Sequence, residues 1–143
     1  MLEARGNLWD LISPRDTLVI TTNGFVKNNG QCVMGRGIAL EAAQRFPDLP
    51  RLVGGLIREH GNHAYMLQVR DRLIATMPVK HHWAQDADPD LIIKSAHELV
   101  AIADRSLTTF WMPRPGCGNG RLNWATVKPL IEPILDDRFA LYI

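Results

Sequence analysis

Three short stretches of this chain carry groups that can do chemistry. The first is Lys80-His81-His82-Trp83, which follows an apolar run and places a lysine amine where a strand should end. A lysine whose pKa is lowered is a nucleophile toward a sugar carbon. The two histidines are neighbours in sequence, so they point apart, and no third metal ligand accompanies them. Taken alone, the segment reads better as a solvated turn.

The other two stretches are rich in glycine. "PRPGCGNGRLNW" (113–124) alternates Gly116, Gly118 and Gly120 with Cys117 and Asn119, and "CVMGRGIALEAA" (32–43) carries Gly35 and Gly37. Each follows an apolar segment and precedes a helical pattern. Glycine lets backbone N–H groups approach a phosphate, and a helix N-terminus adds partial positive charge. Two such loops can hold the two phosphates of a diphosphate between them. Neither matches an established template. The Lys-Ser/Thr pair of a Walker loop is missing, and Leu40 stands where a dinucleotide fingerprint needs its third glycine. The residues alone leave open a phosphate site of another kind or a pair of tight turns.

The elements that must position these groups alternate strand with helix. "TLVITTNGF" (17–25) reads as a strand buried on both faces, and "KNNGQC" (27–32) as a loop. A helix is predicted from Gly37 to Phe46, stopped by Pro47, and a second from Leu49 to near Gly61. "HAYMLQV" (63–69) and "LIATMPV" (73–79) read as two short strands. Ile92, Ala96, Leu99, Val100 and Ala103 mark a further helix, and "LTTFWMP" (107–113) a strand. Val127, Leu130, Ile131, Ile134 and Leu135 line a last helix, in which Pro129 and Pro133 predict a late start or a kink. "FALYI" (139–143) closes the pattern as a strand. The expected fold is α/β, a three-layer α/β/α domain around a central mixed sheet, occupying 1–143 as one domain.

Composition bounds the rest. The chain has 143 residues, 46% apolar and 22% charged, with a formal net charge of +1. That is ordinary globular composition, with no global electrostatic case for nucleic acid. Only Cys32 and Cys117 are present, without metal-ligand spacing. No apolar run is long enough to span a bilayer, and the N-terminus is charged where a signal peptide is apolar. A reduced, cytoplasmic, monomeric protein with no membrane partner, no cofactor and no metal is the expectation.

In order and spacing, "TTNG" (21–24), "VMGRGIAL" (33–40), "MPVKHHW" (77–83) and "PGCGNGRLNW" (115–124) resemble the macrodomain family. The resemblance covers essentially the whole chain. It points to the branch holding the DarG-type DNA ADP-ribosyl glycohydrolases and the terminal ADP-ribose protein glycohydrolase. It implies a pocket for ADP-ribose. Val33, Met34, Gly35, Gly37, Ile38 and Ala39 would cradle the distal ribose and one phosphate. Pro115, Gly116, Cys117, Gly118, Asn119 and Gly120 would hold the other phosphate. Asn23 would hydrogen-bond the distal ribose, and Asn7 with Leu8 would meet the adenine. Lys80 matches the lysine that attacks the anomeric carbon of the distal ribose.

The departures are specific. Asn7 stands where the family carries an Asp, and Ile20 replaces an Asn of the first strand. The 25–32 loop is longer than the family pattern, and "PVK" replaces "PTK". Gly120 occupies the position of the protein-directed member's catalytic Asp, as in the DarG type, which shifts weight toward a nucleic-acid substrate. The implied activity is hydrolysis of the bond joining ADP-ribose to a modified macromolecule, with ADP-ribosylated DNA a candidate partner. Two alternatives stay open: a non-catalytic reader of ADP-ribose, and a hydrolase of a small derivative such as ADP-ribose 1''-phosphate, with His81 or His82 as acid–base. Cys117 is expected to have a lowered pKa without acting as a nucleophile. Trp124 is expected to pack the last helix, and Arg36 and Arg114 either add charge at the diphosphate or are solvated. No second domain of the kind by which DarG-type antitoxins engage a toxin is expected.

Overall fold

Alternation of buried strands with amphipathic helices runs through the chain. In the computed structural model, which describes Met1–Ile143, the order is β1 (Leu2–Ala4), α1 (Leu8–Leu11), β2 (Thr17–Asn23), α2 (Gly37–Arg45) and α3 (Leu49–His60). It continues through β3 (Met66–Val69), β4 (Arg72–Lys80), α4 (Pro89–Ala103), β5 (Phe110–Met112), α5 (Trp124–Ile131) and β6 (Phe139–Tyr142). The strands form one sheet in the order β1-β6-β5-β2-β4-β3. Every pairing is parallel except the β3–β4 hairpin, so the sheet is mixed.

Side chains alternate across the sheet and build two cores. Val19, Ala75, Met77 and Phe110 pack with Ile92, Leu99, Val127 and Ile131, which places α4 and α5 on one face. Leu18, Ile20 and Ile74 pack with Ile38, Ala42, Leu49 and Val53, which places α2 and α3 on the other. The result is the expected three-layer α/β/α sandwich. Its largest buried side chains, Phe110 and Phe139, have ring centroids 5.1 Å apart. Burying each such side chain is worth roughly 1.5–3 kcal/mol.

Local chemistry sets the ends of the elements. Asp88 caps α4 by accepting from the Asp90 N–H, with Pro89 in the first turn. Asn123 caps α5 in the same way, so that helix begins at Trp124 rather than late. Pro129 is accommodated inside it, because a short helix forfeits only one N–H bond there, and Pro133 lies beyond its end. β5 is shorter than the 107–113 run suggested. Leu107 projects fully into solvent, and Thr109 joins the sheet only through its carbonyl, which accepts from the Thr17 N–H. β1 and α1, too short for a periodicity, carry no signal of their own. No helix is long and apolar enough to cross a membrane.

Candidate active site at the strand ends

β2 and β4 run parallel and end together. A register shift between Thr22 and Asn23 brings Asn23 opposite Lys80. Beyond these ends lies a cleft of about 630 Å³, the size of a small-molecule site. It is lined by Asn23 and Lys80, by Val33, Met34, Gly35, Gly37, Ile38 and Ala39, and by Gly116, Gly118, Asn119 and Gly120. Of the residues singled out in the sequence, Asn7, Leu8, Pro115 and Cys117 do not line it.

The two glycine loops face this cleft with their amides. The N–H groups of Gly35 through Ala39 donate to no acceptor in the protein, and neither do those of Gly116, Gly118, Asn119 and Gly120. Arg36 precedes α2 without capping it, so the N-terminal positive end of that helix opens into the cleft. The second loop differs, since Asn123 caps α5 and only the loop's own amides remain.

The glycines divide into two kinds. A Cβ on Gly35, Gly37 or Gly118 would meet no protein atom, and Gly37 also has φ +59. A Cβ on Gly120 would lie 2.5 Å from the Gly116 carbonyl oxygen and 2.8 Å from Ala87, and one on Gly116 (φ +75) 2.8 Å from Ile92. Gly116 and Gly120 are thus small because the loop folds tightly on itself and on α4. Of the three, only Gly118 has open space where a Cβ would stand.

Lys80 is almost wholly buried. Its Nζ donates to the carbonyl oxygens of Asn119 at 3.2 Å and Trp83 at 3.4 Å. Burial lowers its pKa, reinforced by the positive charges of Arg121 and Arg36 and opposed by Asp86. Its main chain is equally fixed, because its carbonyl accepts from the Gly24 N–H and from Asn62 Nδ2. Two residues back in β4, the Pro78 carbonyl accepts from buried Ser95 Oγ at 2.6 Å, tying the strand end to α4. A buried amine of lowered pKa, held at the mouth of a cleft by two carbonyls, is chemically a nucleophile in waiting.

Other side chains are more committed than their types suggest. Asn23 donates from Nδ2 to the Val33 carbonyl and accepts at Oδ1 from the Phe25 N–H, so it shapes the first glycine loop from within. Asn7 caps α1 by accepting from the Trp9 N–H, and Leu8 is buried in the core under α2. Cys117 corrects an expectation: burial raises its pKa, against a smaller opposing effect of Arg114. His81 pairs with Asp88 at 2.8 Å, and His82 accepts from the Ala84 N–H; neither lines the cleft. No group of three or more His, Cys, Asp or Glu side chains is placed to hold a metal ion.

Some cleft residues gave no clear sequence signal. Glu41 and Tyr142 line it; Glu41 accepts from Trp9 Nε1 at 3.4 Å, and burial with the Glu41 charge raises the Tyr142 pKa. Arg36, Arg114 and Trp83 all reach it, and the Arg114 guanidinium lies 5.5 Å over the Trp124 ring. Trp124 itself packs against the core. Arg121 lines the cleft with φ +65, a left-handed backbone that costs a side-chain-bearing residue roughly 1–2 kcal/mol.

Comparison with known proteins follows from this geometry. No family model matches the chain. The DNA ADP-ribosyl glycohydrolase of Thermus aquaticus is 29% identical over 140 residues, covering 92% of this chain and 37% of that protein. The solved macrodomain of Thermus aquaticus DarG superposes with a TM-score of 0.76 at 27% identity, over 99% of this chain and 95% of that one. The chain has the macrodomain fold. Thermosipho africanus DarTG in complex with ADP-ribose superposes with a TM-score of 0.79 at 20% identity, over 99% of this chain and 41% of that one. Its similarity is to the DarG-type branch. The chain spans well under half the length of the curated relative it matches.

Proposed function

We propose that this macrodomain binds ADP-ribose in the strand-end cleft and hydrolyses the bond joining it to a modified macromolecule, nucleic acid in preference to protein. The observation that carries this reading is the two sets of unpaired amides, those of Gly35 through Ala39 and those of Gly116, Gly118, Asn119 and Gly120, lining one cleft with Lys80. Each loop offers amides to one of the two phosphates of a diphosphate. Glu41 and Tyr142 offer polar partners for the adenosine end. The similarity to a DNA ADP-ribosyl glycohydrolase supports the substrate class. So does the packing at Gly120, where the side chain of an aspartate would collide with the Gly116 carbonyl.

In the proposed reaction the neutral Lys80 amine attacks the anomeric carbon of the distal ribose. A carbon–nitrogen bond forms to Nζ as the bond to the leaving group breaks, with its electron pair going to the leaving atom. The proton shed by the lysine nitrogen neutralises that atom. Water then adds to the anomeric carbon, releasing ADP-ribose and regenerating the amine. The Asn119 and Trp83 carbonyls accept N–H groups of the lysine and so fix its direction.

A non-catalytic reader is the second reading, favoured by those same two hydrogen bonds, which engage the amine before any ligand arrives. Hydrolysis of a small derivative with a histidine acid–base loses ground, because His81 and His82 point outside the cleft. The deciding assay offers single-stranded DNA carrying ADP-ribose on a base to the wild type and to Lys80→Ala, with ADP-ribose affinity measured by calorimetry on both. Lysine-dependent release supports the hydrolase. Binding by both without release supports the reader, and no binding defeats both readings.

A further inference from the structure

Two rim residues of the cleft are not explained by holding ADP-ribose or by the core. Trp83 is half exposed, lines the cleft, and carries the carbonyl that accepts from Lys80. Its ring continues a row: His82 lies 5.3 Å away, tilted by 32°, and Phe25 meets His82 edge-on at 4.6 Å. This row anchors Trp83 while leaving the indole accessible. Arg121 is the second. It keeps a charged side chain on a left-handed backbone where glycine would be unstrained, directly after Gly120. Its contact with Asp86, 3.6 Å between well-exposed groups, is too weak to repay that strain.

We propose that Trp83 and Arg121 form the contact surface for the leaving side of the substrate, Trp83 stacking on the base that bears ADP-ribose and Arg121 pairing with an adjacent backbone phosphate. This rests on the glycohydrolase reading above. The geometry favours it in a simple way. In-line attack by the Lys80 amine sends the leaving group out on the side of the anomeric carbon away from Nζ, so a base borne by a polynucleotide must pass the exposed rim of the cleft, where Trp83 stands. An aromatic surface there suits a planar heterocycle, because every base offers a π-face. An exposed cation on the second glycine loop suits the phosphate that a polynucleotide, unlike a free nucleoside, brings with it. Arg121 also lowers the Lys80 pKa, a separate role that the test must distinguish.

The test compares affinities in the Lys80→Ala background, where bound substrate is not turned over. The ligands are ADP-ribose and a short single-stranded DNA oligonucleotide with ADP-ribose on one base, each measured between 50 and 200 mM salt. The oligonucleotide should bind about 10-fold or more tighter than ADP-ribose. Adding Trp83→Ala should remove that advantage, with a much smaller loss on ADP-ribose, and Trp83→Phe should keep most of it. Adding Arg121→Gly should flatten the log–log salt dependence of oligonucleotide binding by about 0.7 without lowering the melting temperature. Three results overturn the proposal: no advantage for the oligonucleotide, an equal loss on both ligands for Trp83→Ala, or an unchanged salt slope for Arg121→Gly. Loss of ADP-ribose binding itself overturns the underlying reading as well. Intact ADP-ribose binding with no oligonucleotide advantage overturns this one alone.

Discussion

The Nζ of Lys80 donates to the main-chain carbonyl of Asn119 across 3.2 Å, so the end of β4 and the second glycine loop meet through this amine. Attack on a sugar requires the amine in its neutral form. Protonated lysine predominates below its pKa, so the hydrolytic rate should rise with pH and level off as the proton is lost. Because burial and the arginines lower that pKa, the inflection should fall below the ordinary lysine value of 10.5. A kcat/KM profile that is flat through the alkaline range would exclude Lys80 as the titrating nucleophile.

The two kinds of glycine separate stability from binding. Gly120→Ala forces a Cβ against the Gly116 carbonyl and should cost about 1–3 kcal/mol in a denaturant melt. Gly118→Ala meets no protein atom, so its stability should stay level or rise by about 0.4–1 kcal/mol, while its affinity for ADP-ribose falls. Calorimetry beside the melts reads both quantities. The reverse pattern would mean that Gly118 does not face the ligand.

His81 belongs to the start of α4 through Asp88, not to the cleft. Replacing it with Gln should leave turnover within about two-fold of wild type, whereas loss of an acid–base group costs roughly 100-fold or more. Asp88→Ala should destabilise the fold by about 1 kcal/mol through the lost cap. A drop of two orders of magnitude in His81→Gln would return the histidine to the mechanism.

Neither thiol is activated. Burial pushes Cys32 up to about 11, and Cys117 is raised as well. Both should react with a disulfide reagent more slowly than free cysteine at neutral pH, and at full rate only after denaturation. Fast labelling of Cys117 in the native protein would contradict its placement.

The site was legible in sequence where chemistry and position coincide. Lys80 at a strand end, and Gly35 and Gly37 at a helix start, could be placed from pattern alone. Gly116 and Gly120 could not be understood that way. Their neighbours, Ala87 and Ile92, arrive from a part of the chain about thirty residues earlier. Asn23 was expected at the distal ribose from the resemblance alone; it lines the cleft, and its two bonds to main chain, which shape the first glycine loop, had no signal in the sequence. Glu41 was hidden among the polar positions of α2, and Tyr142 inside a short apolar strand. The fold was easier, since long buried strands and regular helices announce themselves by period; β1 and α1 exist only through their neighbours.

The place of β6 between β1 and β5 has a consequence for the newborn chain. Residues 139–142 emerge from the ribosome after every other strand, yet they fill an interior position of the sheet. Until they arrive, Leu2–Ala4 has no partner strand, because its register is entirely with Ala140–Tyr142. The cleft also lacks Tyr142 until that moment. Insertion of β6 and completion of the cleft are therefore one event, and a chain cut before β6 that still makes β2, β4 and Lys80 carries the buried amine without the finished cleft.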